Sequence, residues 1–209
     1  MARTRIKICG VTRGRDAVRA AELGAAFVGL NFWPGSPRCL EVEAARRIAE
    51  RVRGQVEVVG VFVDQPAELV QGVSDRVGLD LVQLHGEEGP AFVGRFGDRA
   101  IKVFRVGADF DPAALSDFPD VWGYLFDCDH PTLVGGSGVA WSYERVADVS
   151  RSKPVIVAGG LRPSNVAQAI AKSGADIVDV SSGIESQPGI KDPESMERFI
   201  HEVHHAEED

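Results

Sequence analysis

The chain has 209 residues and a formal net charge of −8, with 44% hydrophobic and 26% charged residues. That length accommodates one sizeable domain with a full core, and the composition is ordinary for a globular protein. The acidic balance, without any lysine- or arginine-rich stripe, argues against nucleic acid as a partner, and no apolar run is long enough to span a bilayer.

Met1-Ala2-Arg3-Thr4 runs directly into strand-like sequence, which leaves no room for a signal peptide. The first predicted strand covers residues 5–9. Side chains alternate along a strand, so Arg5, Lys7 and Cys9 share one face while Ile6 and Ile8 share the other. An ammonium two residues from a thiol favours the thiolate over the thiol, whose reference pKa is about 8.5. The same pentapeptide also suits a cysteine that only fills space.

Further strands are predicted over residues 27–32, 56–63, 81–85, 100–105, 123–127, 154–158 and 177–181. Helical patterns separate them over residues 16–23, 42–52, 67–77, 90–96, 142–149 and 164–173, and a last one covers 194–204. The stretch 108–119, with Pro112 and Pro119 at its edges, holds at most a helical turn. Several strands, such as Val58-Val59-Gly60-Val61-Phe62-Val63, are nearly continuous apolar runs, as expected when both faces of a sheet are covered. Eight strands alternating with crossovers predict one parallel (β/α)8 barrel domain over residues 1–209.

In such barrels the active site lies at the C-terminal ends of the strands. Those positions here are Cys9, Asn31, Asp64, His85, Arg105, Asp127, Gly159 and Ser181, with polar or reactive types following apolar runs at almost every one. After the last two strands come Ala158-Gly159-Gly160-Leu161 and Ser181-Ser182-Gly183. Glycine allows close approach of the backbone, whose N–H groups cradle phosphate, so Gly159, Gly160, Ser182 and Gly183 are candidate phosphate binders. Pro163 is placed to open a helix whose N-terminus adds to that site. Cys9, Cys39 and Cys128 cannot all pair and match no zinc spacing, which suggests a reducing, cytoplasmic setting and no metal. His201, His204 and His205 sit in an acidic tail and read as a solvated helix end.

Taken together, these residues resemble the phosphoribosylanthranilate isomerase family of tryptophan biosynthesis. The resemblance rests on Lys7-Ile8-Cys9-Gly10-Val11-Thr12, Ser36-Pro37-Arg38, Val59-Gly60-Val61-Phe62, Gln83-Leu84-His85-Gly86-Glu87 and Leu125-Phe126-Asp127. It continues through Gly135-Gly136-Ser137-Gly138, the segment from Ala158 to Val166, and Asp179-Val180-Ser181-Ser182-Gly183-Ile184-Glu185. It implies a cofactor-free Amadori rearrangement with Cys9 as general base and Asp127 as general acid. The substrate nitrogen serves as electron sink, so no metal, flavin or pyridoxal group is implied. The resemblance further implies Arg38 beside the anthranilate carboxylate and Asp179 near the substrate amino group; Asp179 can equally balance Lys7. His85 either lines the pocket or bonds to a loop.

Two departures stand out: Val139-Ala140-Trp141-Ser142 lacks an aspartate common in the family, and Trp33 either stacks on the substrate ring or covers the barrel mouth. Expected partners are a small phosphosugar–anthranilate substrate, with no nucleic acid and no membrane, in a monomer or homodimer. Two other readings stay open from sequence: an isomerase of a related phosphosugar amine, and a phosphate-binding barrel without turnover.

Overall fold

The structure, a computed structural model, describes residues 3–107, 109–128, 143–147, 149 and 152–206. Eight parallel strands close into a barrel in chain order: β1 Arg5–Ile8, β2 Phe27–Asn31, β3 Glu57–Phe62, β4 Leu81–Leu84, β5 Ala100–Val106, β6 Gly123–Cys128, β7 Val155–Val157 and β8 Ile177–Val180. Closure comes from β1 pairing with β8 in parallel, with Lys7 opposite Asp179 and Ile8 opposite Val180. The (β/α)8 fold expected from the alternating pattern is therefore the fold observed.

Alternation along each strand sorts the residues into two cores. Ile6, Ile8, Val28, Leu30, Phe62, Leu84, Phe126 and Val180 face outward and pack beneath the helices. Phe27, Val59, Leu81, Ile101, Leu125, Ile156 and Ile177 face inward and fill the barrel. The Arg5 guanidinium lies 5.1 Å from the Phe27 ring centroid and 5.5 Å from that of Trp122. Arg5 and Ile177 are paired at the starts of their strands, so this contact belongs to the end of the barrel away from Cys9.

Around the strands lie α1 Gly14–Glu22, α2 Val42–Val52, α3 Ala67–Val77, α4 Pro90–Val93, α5 Val166–Ser173 and α6 Pro193–His205. Amphipathic spacing turns Ala45, Ile48, Ala49 and Val52 of α2, and Val70, Val73 and Val77 of α3, into the outer core. Helix α3 stops at Gly78, which adopts the left-handed conformation with φ of 75°. Helix α6 starts with Pro193 at its first turn, and the Asp192 side chain accepts from the Ser195 N–H at 2.9 Å.

Three helical predictions are corrected. The helix expected over 90–96 is only the four residues of α4, because Gly94 and Gly97 follow and Gly97 takes φ of 50°. The one expected over 142–149 is a 3-10 turn, Tyr143–Val146; Ser142 and Asp148 lie outside the described residues. The helix expected from 164 begins at Val166, so Pro163 does not open it. The weak stretch around Pro112 does contain a 3-10 turn, Pro112–Asp117. An antiparallel hairpin, β9 Glu185–Gln187 with β10 Ile190–Lys191, goes beyond the predicted elements. Its strands are too short for a periodic signal, although Pro188-Gly189 is a turn dipeptide.

Candidate active site

Cys9 follows the last ladder residue of β1, and its N–H donates to the Val180 carbonyl at 2.8 Å. That bond carries the alternation one residue past the strand, so Cys9 faces inward above Lys7 as expected. Space for both comes from Gly29 on β2. A methyl group there would stand 2.8 Å from Cys9 Sγ and 3.2 Å from Lys7 Nζ.

Lys7 is 1% exposed and donates from Nζ to Asp179 Oδ2 at 2.8 Å. Burial alone would lower the Lys7 pKa, but Asp179 and Cys9 together hold it above the ordinary lysine value. Asp179 itself is pushed up by burial, which Lys7 only partly offsets. Its Oδ1 is buried and has no hydrogen-bond partner among the described residues. For Cys9, burial is the largest influence and raises the thiol pKa; Asp179 raises it further, while Lys7 and Lys191 lower it. The sequence expectation that Lys7 favours the thiolate holds in direction but does not decide the balance. Lys7 does act in that direction, but its charge is shared with Asp179, and desolvation outweighs the remainder.

Asp127 lies near the end of β6, with one carboxylate oxygen accepting from the Cys128 N–H at 2.7 Å. Its other oxygen lies 3.4 Å from His85 Nε2. Gly159, at φ of 85°, makes room on this side, because a side chain there would come within 2.7 Å of Asp127 Oδ1. His85 leaves β4 with its N–H bonded to the Phe62 carbonyl, and its Nδ1 lies 3.1 Å from Gln83 Nε2. A Gln83 amide that donates to Nδ1 leaves the proton of a neutral imidazole on Nε2, the nitrogen that faces Asp127. Gln83 is 2% exposed, and it shares the inward face with His85 by simple alternation. That alternation is the signal that could have singled it out.

The Ser36-Pro37-Arg38 segment is tied back to β2. Leu40 N–H donates to the Asn31 carbonyl at 2.8 Å, and Ser36 Oγ accepts from the Arg38 N–H at 3.1 Å. The Arg38 side chain lies over Gly10, where a methyl group would approach Arg38 Cδ to 2.4 Å. Its guanidinium forms two parallel bonds to Glu185, Nε to Oε1 at 2.9 Å and Nη2 to Oε2 at 2.5 Å. Trp33 is 42% exposed at the start of the same loop.

The two glycine turns after β7 and β8 touch each other. A side chain at Gly183 would stand 1.8 Å from the Leu161 carbonyl oxygen, so only glycine permits the approach. Gly160, at φ of 66°, has no atom of the described residues within 4 Å of the side-chain position it lacks. Asn165 holds this loop, donating to the Gly160 carbonyl at 3.0 Å and accepting from the Arg162 N–H at 2.8 Å. Ser182 and Gly183 lie in the 3-10 turn Ser182–Ile184.

Two strand-end residues are set apart from this group. Asp64, after β3, is committed to the loop that follows β4, accepting from the Glu87 N–H at 2.7 Å and donating its N–H to Glu88 Oε1 at 3.0 Å. Arg105 is exposed. By contrast, Cys9, Lys7 and Asp179 interact electrostatically with one another; Asp127 and His85 act on Asp179, and Arg38 and Lys191 respond to Cys9. The sequence candidates Lys7, Cys9, Arg38, His85, Asp127 and Asp179 therefore form one charged cluster at the C-terminal mouth of the barrel. Glu185 and Lys191 belong to it as well and were not anticipated.

A family model for N-(5'-phosphoribosyl)anthranilate (PRA) isomerase matches residues 6–202. The chain belongs to the PRA isomerase family. The N-(5'-phosphoribosyl)anthranilate isomerase of Geobacter sp. (strain M21) is 45% identical over 200 residues, covering 96% of this chain and 98% of that one. The solved phosphoribosyl anthranilate isomerase of Thermotoga maritima is similar with a TM-score of 0.86 and 38% identity, covering 97% of this chain and 99% of that one. A second solved member, 35% identical with a TM-score of 0.83 and covering 97% of this chain and 99% of that one, is bound to reduced 1-(o-carboxyphenylamino)-1-deoxyribulose 5-phosphate.

As a PRA isomerase family member, the chain is an isomerase on the (β/α)8 scaffold. Its Gly135-Gly136-Ser137-Gly138 motif and the Val139–Ser142 departure lie outside the described residues. No helix among the described residues is long and apolar enough to cross a membrane.

Proposed function

We propose that this PRA isomerase family member converts N-(5'-phosphoribosyl)anthranilate to 1-(2-carboxyphenylamino)-1-deoxyribulose 5-phosphate in tryptophan biosynthesis, with Cys9 as general base and Asp127 as general acid. The observation that carries the reading is the thiol and the carboxyl group at the ends of β1 and β6, on the same mouth of one barrel.

The rearrangement needs a proton on the furanose ring oxygen, and Asp127 delivers it. The C1'–O bond breaks and the anthranilate nitrogen takes up the positive charge as an iminium. That charge acidifies the C2' hydrogen, which the Cys9 thiolate removes, leaving a neutral enolamine. Protonation at C1' and loss of the C2' hydroxyl proton then give the ketone. The sulfur must first shed its own proton, a change that Lys7 and Lys191 favour. His85 orients the Asp127 carboxyl group.

The remaining roles follow from chemistry and position. Arg38 meets the anthranilate carboxylate through the part of its fork that Glu185 leaves open. The orphaned Asp179 Oδ1 accepts from the substrate amino group. The backbone of Gly159, Gly160, Ser182 and Gly183 receives the phosphate, supported by the bare face at Gly160. Cys9 also separates this reading from the related phosphosugar-amine isomerases, whose corresponding position resembles an aspartate.

The test is turnover by the purified protein, followed as the loss of substrate anthranilate fluorescence. Multiple turnovers on phosphoribosylanthranilate are expected. Binding of the substrate without turnover would leave a phosphate-ligand-binding barrel and end the isomerase reading.

A further inference from the structure

Arg38 is held by a second ion pair behind it. Glu185 is 4% exposed at its side chain and bonds to both Arg38 and Lys191, whose Nζ lies 2.7 Å from Glu185 Oε1. Lys191 Nζ is buried completely and also donates to the Ser181 carbonyl at 3.1 Å, next to the phosphate turn. The hairpin that carries both residues is sewn to the segment after Cys9. Thr12 Oγ1 donates to the Gly189 carbonyl, Arg13 donates to the Lys191 carbonyl at 3.1 Å, and Lys191 N–H donates to Asp16 Oδ2 at 3.3 Å.

A guanidinium offers five N–H donors in a rigid plane. Glu185 takes the edge made by Nε and Nη2, which leaves Nη1 for a second acceptor. Two carboxylates can then share one guanidinium only if something offsets their mutual repulsion. Lys191 supplies that charge from behind Glu185. Burial lowers the Lys191 pKa while Glu185 raises it; burial likewise opposes ionisation of Glu185, but Arg38 and Lys191 prevail and hold it below the usual carboxylate range.

We propose that Glu185 and Lys191 are positioning residues for substrate recognition: they fix the plane of Arg38 so that its free edge selects a ligand carrying an aryl carboxylate. The proposal rests on the reading of Arg38 as the carboxylate partner. It makes the β9–β10 hairpin a specificity device, acting on the anthranilate part of the substrate and not on the sugar phosphate.

The experiment measures calorimetric binding of two unreactive probes to the full chain. One is reduced 1-(o-carboxyphenylamino)-1-deoxyribulose 5-phosphate; the other is the same compound with phenyl in place of carboxyphenyl. Glu185→Gln keeps the shape of the side chain and removes its charge. It is expected to weaken the carboxylated probe about tenfold, the scale of one charge-assisted hydrogen bond, and the phenyl probe less than about twofold. Glu185→Asp, which keeps the charge on a shorter arm, is expected to fall between wild type and Glu185→Gln on the carboxylated probe.

A merely structural role would weaken both probes equally, and that result would overturn the proposal. Arg38→Met in the same titration separates the two readings. If it loses the carboxylated probe selectively while Glu185→Gln does not, only the positioning role fails. If Arg38→Met loses neither probe selectively, the carboxylate reading of Arg38 fails and the positioning role with it.

Discussion

Lys7 and Asp179 face each other across the seam that closes the barrel, with Lys7 Nζ 2.8 Å from Asp179 Oδ2. Their pairing follows from register, since the two residues are direct partners in the β1–β8 ladder. A buried pair of this kind neutralises itself, and so the nearby sulfur feels a weakened cation. The proton state of Cys9 is therefore governed by burial and by Asp179 before it is governed by Lys7.

The first prediction is a pH dependence. Because the Cys9 pKa is raised, its thiolate fraction at a given pH is smaller than that of a free thiol. In a Cys39→Ser, Cys128→Ser background, iodoacetamide should modify Cys9 slowly near pH 8, about the range where an ordinary thiol begins to react, and faster only as pH rises further. Asp179→Asn removes a charge that raises the Cys9 pKa and releases Lys7, so its alkylation profile should move to lower pH. An unchanged or upward-shifted profile in Asp179→Asn would refute the arrangement.

Direct removal of the two proton-transfer groups should slow chemistry without abolishing binding. Cys9→Ser and Asp127→Asn are each expected to lower kcat about 10² to 10⁴-fold, with modest change in affinity for the substrate. Near-wild-type turnover in either variant counts against its assigned role. Reduced-product binding in both variants reports whether the pocket is intact.

Gln83 sits beneath His85 with its Oε1 buried and without a hydrogen-bond partner among the described residues. Gln83→Leu removes that orphaned atom together with the bond to His85 Nδ1, so the thermal midpoint should change little, within about 1 kcal/mol of stability. With the contact that orients the imidazole ring beside Asp127 removed, kcat should fall about tenfold. Loss of stability with unchanged kcat would reduce Gln83 to a packing residue.

Two glycines give a steric test. Gly29→Ala places a methyl group 2.8 Å from Cys9 Sγ, so kcat should fall more than stability does. Gly183→Ala meets the Leu161 carbonyl, a backbone atom that cannot swing away, and is expected to cost about 1–3 kcal/mol while raising KM for the phosphorylated substrate. Paired denaturant titrations and steady-state kinetics distinguish the two patterns. Equal effects on KM and kcat at both positions would contradict the separation of phosphate and proton-transfer regions.

All eight strands are legible because each carries its own local signal, an apolar run that ends in a polar residue or, at β7, in a glycine turn. Helices α2 and α3 match their predicted limits for a similar reason: each shows several turns of amphipathic spacing. The β9–β10 hairpin is silent in the sequence because strands of three and two residues contain too few alternations to register. Within the candidate site, Cys9, His85 and Asp127 stand out as reactive types at strand ends. Glu185 and Lys191 do not, since a glutamate and a lysine six residues apart look like any solvated loop until the fold buries them.

Strand alternation alone is enough to put Lys7 with Cys9, and Gln83 with His85, on one face of each strand, because side-chain direction is a local property of extended backbone. The number of strands likewise depends on nothing beyond the pattern of apolar runs. Electrostatics required the folded barrel. Which carboxylate meets Lys7 is a matter of register between the first and last strands, 172 residues apart along the chain. Whether the Cys9 sulfur holds its proton depends on how much water the closed barrel excludes, and neither quantity is written in any segment of the chain taken singly.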